Sequence, residues 1–473
     1  MNIETIYGPP GTGKTTRILD ILDTELLTVP VERIALFSFT NAGVDQATKR
    51  AKLRYPLLQA KQFQYFRTLH SLAFREMECR TTCVMGKKHY REFSNEVGFS
   101  FSGYYSEELV GSDDKYLFFD GLYRNNPTIA ALYLPDLNMP KLKYIRASYK
   151  KYKEVRKLYD YTDILESYVA NGKPLPIDVA FIDEAQDLTT LQWRMVWKAV
   201  AKAKRVYIAG DDDQAIYQWS GADVNAFMGI ESKVTILDHS YRVPSSILSF
   251  ATSISNQISK RVNKVYSDSG KAGSLTYVTK LEHVTIGDTG TYMFLSRNNC
   301  FLEPIVKWLR EAGYVYRLKG TPSVNRQYVE AIKQYEEWRK KPFMISPYSR
   351  LGMALKDTYN MDDPWYESFR WEQDEIDYYR NVIGAKSHIN DIRIDVSTIH
   401  SVKGAEADHV VLLSDMTRST YKNLIDNPDS EHRAFYVGVT RAKESLTIVE
   451  PQTRLHYKFL GGGKDETYAV RSL

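Results

Sequence analysis

The sequence predicts an α/β chain built on two parallel sheets, each interrupted by an inserted subdomain, and three observations lead there. Apolar runs of strand length at Arg33–Phe39, Ile177–Ile182 and Arg205–Ala209 alternate with stretches of helical spacing. Such runs suit strands buried on both faces and joined by crossover helices. A second set follows from Ser274, at Tyr292–Ser296, Ile394–Thr398, Asp408–Leu413 and Ser445–Val449, with a helix expected over Leu302–Ala312. Two stretches break the rhythm: residues 80–150, aromatic and then basic, and residues 321–391, rich in Tyr, Trp and acids. At 473 residues the chain exceeds what one core ordinarily serves. The expected division is therefore a first sheet from 1–79 and 151–245 around the insertion 80–150, and a second from 246–320 and 392–473 around the shorter insertion 321–391.

Composition narrows the class. A hydrophobic share of 43% and a charged share of 26% are globular values. No apolar run approaches the roughly 20 residues that span a bilayer, and the first residues lack the basic and small-residue pattern of a secretory signal. A cytoplasmic or nucleoid-associated protein, neither secreted nor membrane-bound, is expected. Cys79, Cys83 and Cys300 are the three cysteines, and they make no disulfide framework. The net charge of +5 permits nucleic-acid binding without demanding it. Its distribution says more. Lys141, Lys143, Arg146, Lys150, Lys151, Lys153, Arg156 and Lys157 crowd one segment against the single acid Glu154, with Tyr144, Tyr149, Tyr152 and Tyr159 interleaved. Cations for phosphates and aromatic faces for bases make a nucleic-acid track. The alternative is a solvated helix face whose tyrosines pack inward.

The first strand, Ile3–Tyr7, runs into Gly8-Pro9-Pro10-Gly11-Thr12-Gly13-Lys14-Thr15 and then a helical pattern beginning Thr15-Thr16-Arg17-Ile18. This is a P-loop in its proper context. Glycines let backbone N–H groups turn toward phosphates, Lys14 reaches the terminal phosphates, and the Thr15 hydroxyl suits Mg²⁺. A helix N-terminus adds the positive end of its dipole. Asp183-Glu184 follows another strand. Asp183 is placed to hold Mg²⁺ and Glu184 to orient and deprotonate an attacking water. Asp211-Asp212-Asp213-Gln214 follows a third strand, which gathers three polar clusters at one sheet edge.

At this point the motifs resemble a known family. Asp183-Glu184-Ala185-Gln186-Asp187 is similar to motif II of the UvrD/Rep/PcrA helicases of superfamily 1, and Gly210 to Ala222 is similar to their motif III. Ser38-Phe39-Thr40-Asn41 resembles motif Ia, Thr68-Leu69-His70-Ser71 the Thr-x-His motif, and Asp160 to Leu165 the segment before motif II. Tyr241-Arg242 resembles motif IV, Thr398 to Glu406 motif V, and Tyr436 to Lys443 motif VI, all in family order. The resemblance implies two RecA-like P-loop NTPase lobes using ATP and Mg²⁺. It implies that Arg242 and Arg441 act as arginine fingers, Gln214 as γ-phosphate sensor, Tyr241 as the ring stacked on the base, and Glu406 as a nucleotide contact. Phe39, Thr40, Asn41, His70, Tyr217, Trp219 and His400 match strand-facing positions, and Trp219 beside Gly221 offers a stacking platform. Single-stranded DNA and its junctions with duplex are the implied partners, with RNA left open, and 3′-to-5′ travel is the implied direction. Ser220 stands where the family commonly has Arg.

Overall fold

The computed structural model describes residues 1–38, 41–77, 81–103, 113–385, 389 and 391–461. Two compact units divide the chain. The first comprises Met1–Arg242, Ser255–Gly270 and Asp429–Arg433; the second comprises Val243–Ile254, Lys271–Pro428 and Ala434–Leu473.

The first unit holds six strands: β1 (Asn2–Tyr7), β2 (Ile34–Ser38), β3 (Phe66–Thr68), β4 (Val179–Asp183), β5 (Arg205–Gly210) and β6 (Lys233–Ile236). They pair in the order β3-β2-β4-β5-β1-β6, every pairing parallel. Alternate residues of one strand enter two different cores. Ala180 and Ile182 of β4 pack with Ala35, Phe37, Val206 and Ile208 on one face. Val179 and Phe181 pack with Ile34, Leu36 and Ile6 on the other. This explains the unbroken apolar runs in the sequence: a central parallel strand has no wet face. Asp178 pins the amino ends of three strands. Its carboxylate takes Arg33 Nε at 2.5 Å and Lys204 Nζ at 3.3 Å, and its carbonyl accepts from Lys204 and Arg205 N–H.

The insertion in this unit is helical and has its own core, in which Phe93, Phe119, Leu142, Ile145, Tyr149 and Tyr152 are buried. Its longest helix, Met139–Arg156, starts on Asn138, whose side chain accepts from Lys141 N–H at 3.0 Å. That helix runs unbroken through residue 150 and ends with Lys157 in the left-handed conformation at φ 55°. Lys153 binds it to the neighbouring helix Tyr161–Asn171, and Arg124 of helix Asp114–Asn125 joins the same acidic cluster. Lys153 Nζ lies 2.5 Å from both Asp160 and Asp163, and Arg124 contacts Asp160 at 3.1 Å and Glu166 at 2.6 Å.

The second unit holds β7 (Ser274–Val278), β8 (Tyr292–Ser296), β9 (Tyr316–Leu318), β10 (Thr321–Pro322), β11 (Ile394–Thr398), β12 (Ala407–Leu413) and β13 (Ala442–Val449). Their order is β10-β9-β11-β8-β12-β13-β7, parallel except for the β10–β9 edge pair. Helices Arg326–Lys340 and Gln373–Gly384 fill its insertion, and Tyr328, Trp365, Phe369, Trp371 and Tyr379 pack there ring against ring. Both sheets thus have the parallel α/β character expected. Three segments differ from the sequence-based division: residues 255–270 and 429–433 pack in the first unit and 243–245 in the second, opposite to what their positions in the chain suggested. They contain no strand, so periodicity carried no sign of their destination.

Candidate nucleotide site

Three adjacent strands, β4, β5 and β1, deliver the candidate residues at their carboxyl ends. The loop after β1 turns at Gly11 (φ 74°) and Gly13 (φ 80°), conformations that side chains disfavour. Gly8 is needed for another reason. A Cβ there would lie 2.1 Å from Lys14 Cγ, so only glycine lets the lysine fold over the loop. Lys14 Nζ donates to the Gly8 carbonyl at 2.7 Å, and the Thr12 hydroxyl donates to the Pro9 carbonyl at 2.8 Å. Pro10 and Gly11 in turn take hydrogen bonds from the Ser240 hydroxyl at 2.7 Å and Tyr241 N–H at 2.9 Å. Gly11 has no room for a Cβ, which would meet Arg242 Cβ at 2.3 Å. The segment Ser240-Tyr241-Arg242 is therefore docked directly on the P-loop. Tyr241 is 75% exposed, and its ring comes within 3.9 Å of a Cβ built on Gly13. Thr15 and Thr16 lie in the first turn of helix Lys14–Glu25.

Asp183 ends β4 and is buried; Glu184 follows in the left-handed region at φ 53°. Burial first, and the neighbouring Glu184 second, push the Asp183 carboxyl up to about 7, against the pull of Lys14. Two adjacent carboxylates facing one lysine are short of positive charge. A hard divalent cation bound through oxygen would supply it, so Asp183 and the Thr15 hydroxyl fit Mg²⁺. Glu184 is held by Gln186, whose Nε2 donates to it at 2.5 Å. The same Gln186 accepts from Asp211 N–H at 3.0 Å, which fixes the orientation of its amide. Gln214 Nε2 donates to Asp211 Oδ2 at 2.7 Å. Sequence reasoning assigned no role to Gln186 or Ser240. Gln186 lay inside a quoted motif, but Ser240 had no local signal.

The strand-facing candidates are dispersed. Phe39 and Thr40 lie outside the described residues, and Asn41 opens helix Asn41–Arg54. His70 sits in the first turn of helix Leu69–Glu76, edge-on to Tyr161 at 5.7 Å, with burial lowering its imidazole to about 4. Burial, then Asp187 and Glu184, raise the Tyr217 phenol. Trp219 stacks on Phe118 of the insertion at 6.1 Å and lines a cavity of about 320 Å³ with Tyr90, Leu117, Tyr161 and Ser220. Phe118 is a partner that sequence spacing did not show. The basic segment divides. Lys141, Arg146, Lys153 and Arg156 are tied to Asp113, Asp120, Asp160 with Asp163, and Glu96. Tyr149 and Tyr152 are buried, whereas Lys143, Lys150 and Lys151 are exposed and Tyr144 is half exposed.

In the second unit, His400 follows β11 in a short 3₁₀ turn, Ile399–Val402, and Glu406 is exposed just before β12. Arg441 is buried, its guanidinium donating to Val437 O at 2.9 Å and Ala405 O at 3.2 Å. Arg441 thereby ties the turn carrying Glu406 to the end of helix Pro428–Val439.

Fold and site define a P-loop protein with two RecA-like sheets. Residues 130–235 match the family model of the UvrD/REP helicase N-terminal domain, and residues 381–452 that of the UvrD-like helicase C-terminal domain. These two stretches are similar to the UvrD/Rep/PcrA helicases. The chain is 31% identical over 102 residues to the ATP-dependent DNA helicase PcrA of Leuconostoc citreum, a match covering 20% of this chain and 14% of that protein. It is 20% identical over 487 residues to a probable DNA helicase of Mycoplasma pneumoniae, covering 94% of this chain and 80% of the relative. A crystal structure of Arterivirus nonstructural protein 10 (helicase) aligns with a TM-score of 0.38 at 11% identity, over 96% of this chain and 60% of that one.

Proposed function

We propose that the protein is an ATP- and Mg²⁺-dependent DNA helicase that translocates on single-stranded DNA, 3′-to-5′ by family resemblance. The observation carrying this reading is the convergence of Lys14, Asp183, Glu184 and Gln214 on three neighbouring strand ends, with Tyr241 and Arg242 docked on the same loop. Mg²⁺, held by Thr15 and Asp183, would neutralise phosphate charge when bound. Lys14 would leave the Gly8 carbonyl for a phosphate oxygen. Glu184 would take the proton of the attacking water, its carboxylate steadied by Gln186. Arg242 and Arg441 are proposed to stabilise charge on the departing phosphate.

For the nucleic acid, Trp219 and Phe118 supply aromatic faces beside a cavity and the basic segment supplies phosphate contacts. Both are sequence-tolerant, as a motor on any sequence requires. The Leuconostoc PcrA is named an ATP-dependent DNA helicase, which supports DNA over RNA here. ATP turnover titrated with single-stranded DNA and with RNA, followed by unwinding of forks of both polarities, tests the proposal. Turnover stimulated by DNA without strand separation would reduce the protein to a translocase, and no turnover would overturn the reading.

A further inference from the structure

Asp211, Asp212 and Asp213 are all fully buried, an arrangement that three consecutive carboxylates cannot sustain without counter-charge. The counter-charge comes from residues 255–270. Lys264, itself buried, places Nζ 3.3 Å from Asp211, 3.0 Å from Asp213 and in direct contact with Asp212. Arg261 grips Asp213 with two bonds, of 2.9 and 2.6 Å, and Val262 N–H donates to Asp212 at 2.8 Å. Arg433 adds a third cation, donating to the Asp212 carbonyl at 2.8 Å. Burial opposes charge on Lys264, but Asp211, Asp213 and Asp212 together more than offset it and hold the ammonium protonated.

Asp211 is the junction of two hydrogen-bond routes. Its carboxylate accepts from Gln214, and its backbone N–H orients Gln186, which holds Glu184. We propose that Lys264, supported by Arg261, is a positioning residue for Gln214 and Glu184, because its ammonium, 3.3 Å from the Asp211 carboxylate, holds Asp211 in a fixed place. The inference rests on the reading of this site as an ATPase. It adds residues that lie outside every motif quoted from the sequence.

The test compares Lys264→Met, Lys264→Met/Asp212→Asn and Arg261→Gln with wild type, measuring ATP turnover at saturating DNA, KM for ATP and melting temperature. Lys264→Met should lower kcat about 10- to 100-fold with KM changed less than about threefold, since the P-loop is untouched. The double variant removes one acid with the cation and should recover most of kcat. It should also melt above the single variant. Arg261→Gln, at the rim, should show the same kcat effect more weakly. A wild-type kcat in Lys264→Met, or a double variant no better than the single in both kcat and melting temperature, would overturn the proposal. Should Lys264→Met not fold, the charge-balanced double and Arg261→Gln decide: wild-type turnover in Arg261→Gln, with no folding gain in the double, overturns it. A wild-type protein that turns over no ATP would count against the ATPase reading alone, and the melting comparison would still judge the charge pairing.

Discussion

Lys14 is folded back onto its own loop, its ammonium 2.7 Å from the carbonyl of Gly8. The contact satisfies one lysine donor locally, and under the proposed function it is exchanged for a phosphate oxygen. Lys14→Ala should lower ATP turnover by about 10²–10³-fold, the usual scale for removing a preorganised charge from a transition state. Glu184→Gln should lower turnover similarly while leaving nucleotide affinity within about threefold, because it removes only the proton acceptor. Steady-state turnover and fluorescent-nucleotide binding check both. Unchanged turnover in either variant would move the catalytic site elsewhere.

Trp219 is stacked on Phe118, and among the described residues its indole Nε1 is buried with no hydrogen-bond partner. Trp219→Ala should weaken single-stranded DNA binding by about 1–3 kcal/mol, roughly 5- to 150-fold, and spare basal turnover. Phe118→Ala should act in the same direction, since it holds the plane of the indole. Equal losses of basal and DNA-stimulated turnover would assign the pair to the core.

The basic helix Met139–Arg156 makes opposite predictions for neighbouring lysines. Lys150 and Lys151 are exposed, so replacing both with Ala should reduce the salt slope of DNA affinity by about 1–2 without loss of stability. Lys153 is buried between Asp160 and Asp163, and Lys153→Ala should cost about 3–5 kcal/mol in urea unfolding. An unchanged salt slope in the double variant would make this a merely solvated helix face.

Asp178 gives a pH dependence of defined sign. Hydrogen bonding to Arg33, helped by Lys204, lowers its carboxyl to about 2 despite partial burial. A folded-state value below the unfolded one stabilises the protein above the ordinary value of 3.8, and this contribution fades as pH falls toward about 2. Asp178→Asn should therefore lower the melting temperature at pH 7, with the gap to wild type narrowing below pH ~4. A gap independent of pH would mean the carboxylate charge is not what pins the strand ends.

How much was legible in the sequence follows from how local each signal is. The strand Val179–Asp183 announces itself through five successive residues, and the P-loop through eight, because one short stretch carries both structure and chemistry. The partnership of Phe118 with Trp219 joins residues from different subdomains, and no spacing rule reaches that far. The cations around Asp211–Asp213 were hidden for the same reason: Lys264 and Arg261 sit in an irregular stretch with neither period nor motif. Charge density also misled in part. The run from Lys141 to Lys157 looked uniformly basic, yet acids distant in sequence neutralise much of it.

The first unit is begun first, yet it is completed only after most of the second has been made. A ribosome that has passed Arg242 has made the entire P-loop sheet, yet Lys264 and Arg433, which that unit also needs, are still to come. A fragment stopped there would have to bury three carboxylates without their counter-ions or leave the loop Asp211–Gln214 open to water. The first unit is thus not a portable module, and cutting the gene at the apparent boundary should yield a protein with an unsettled β5 end.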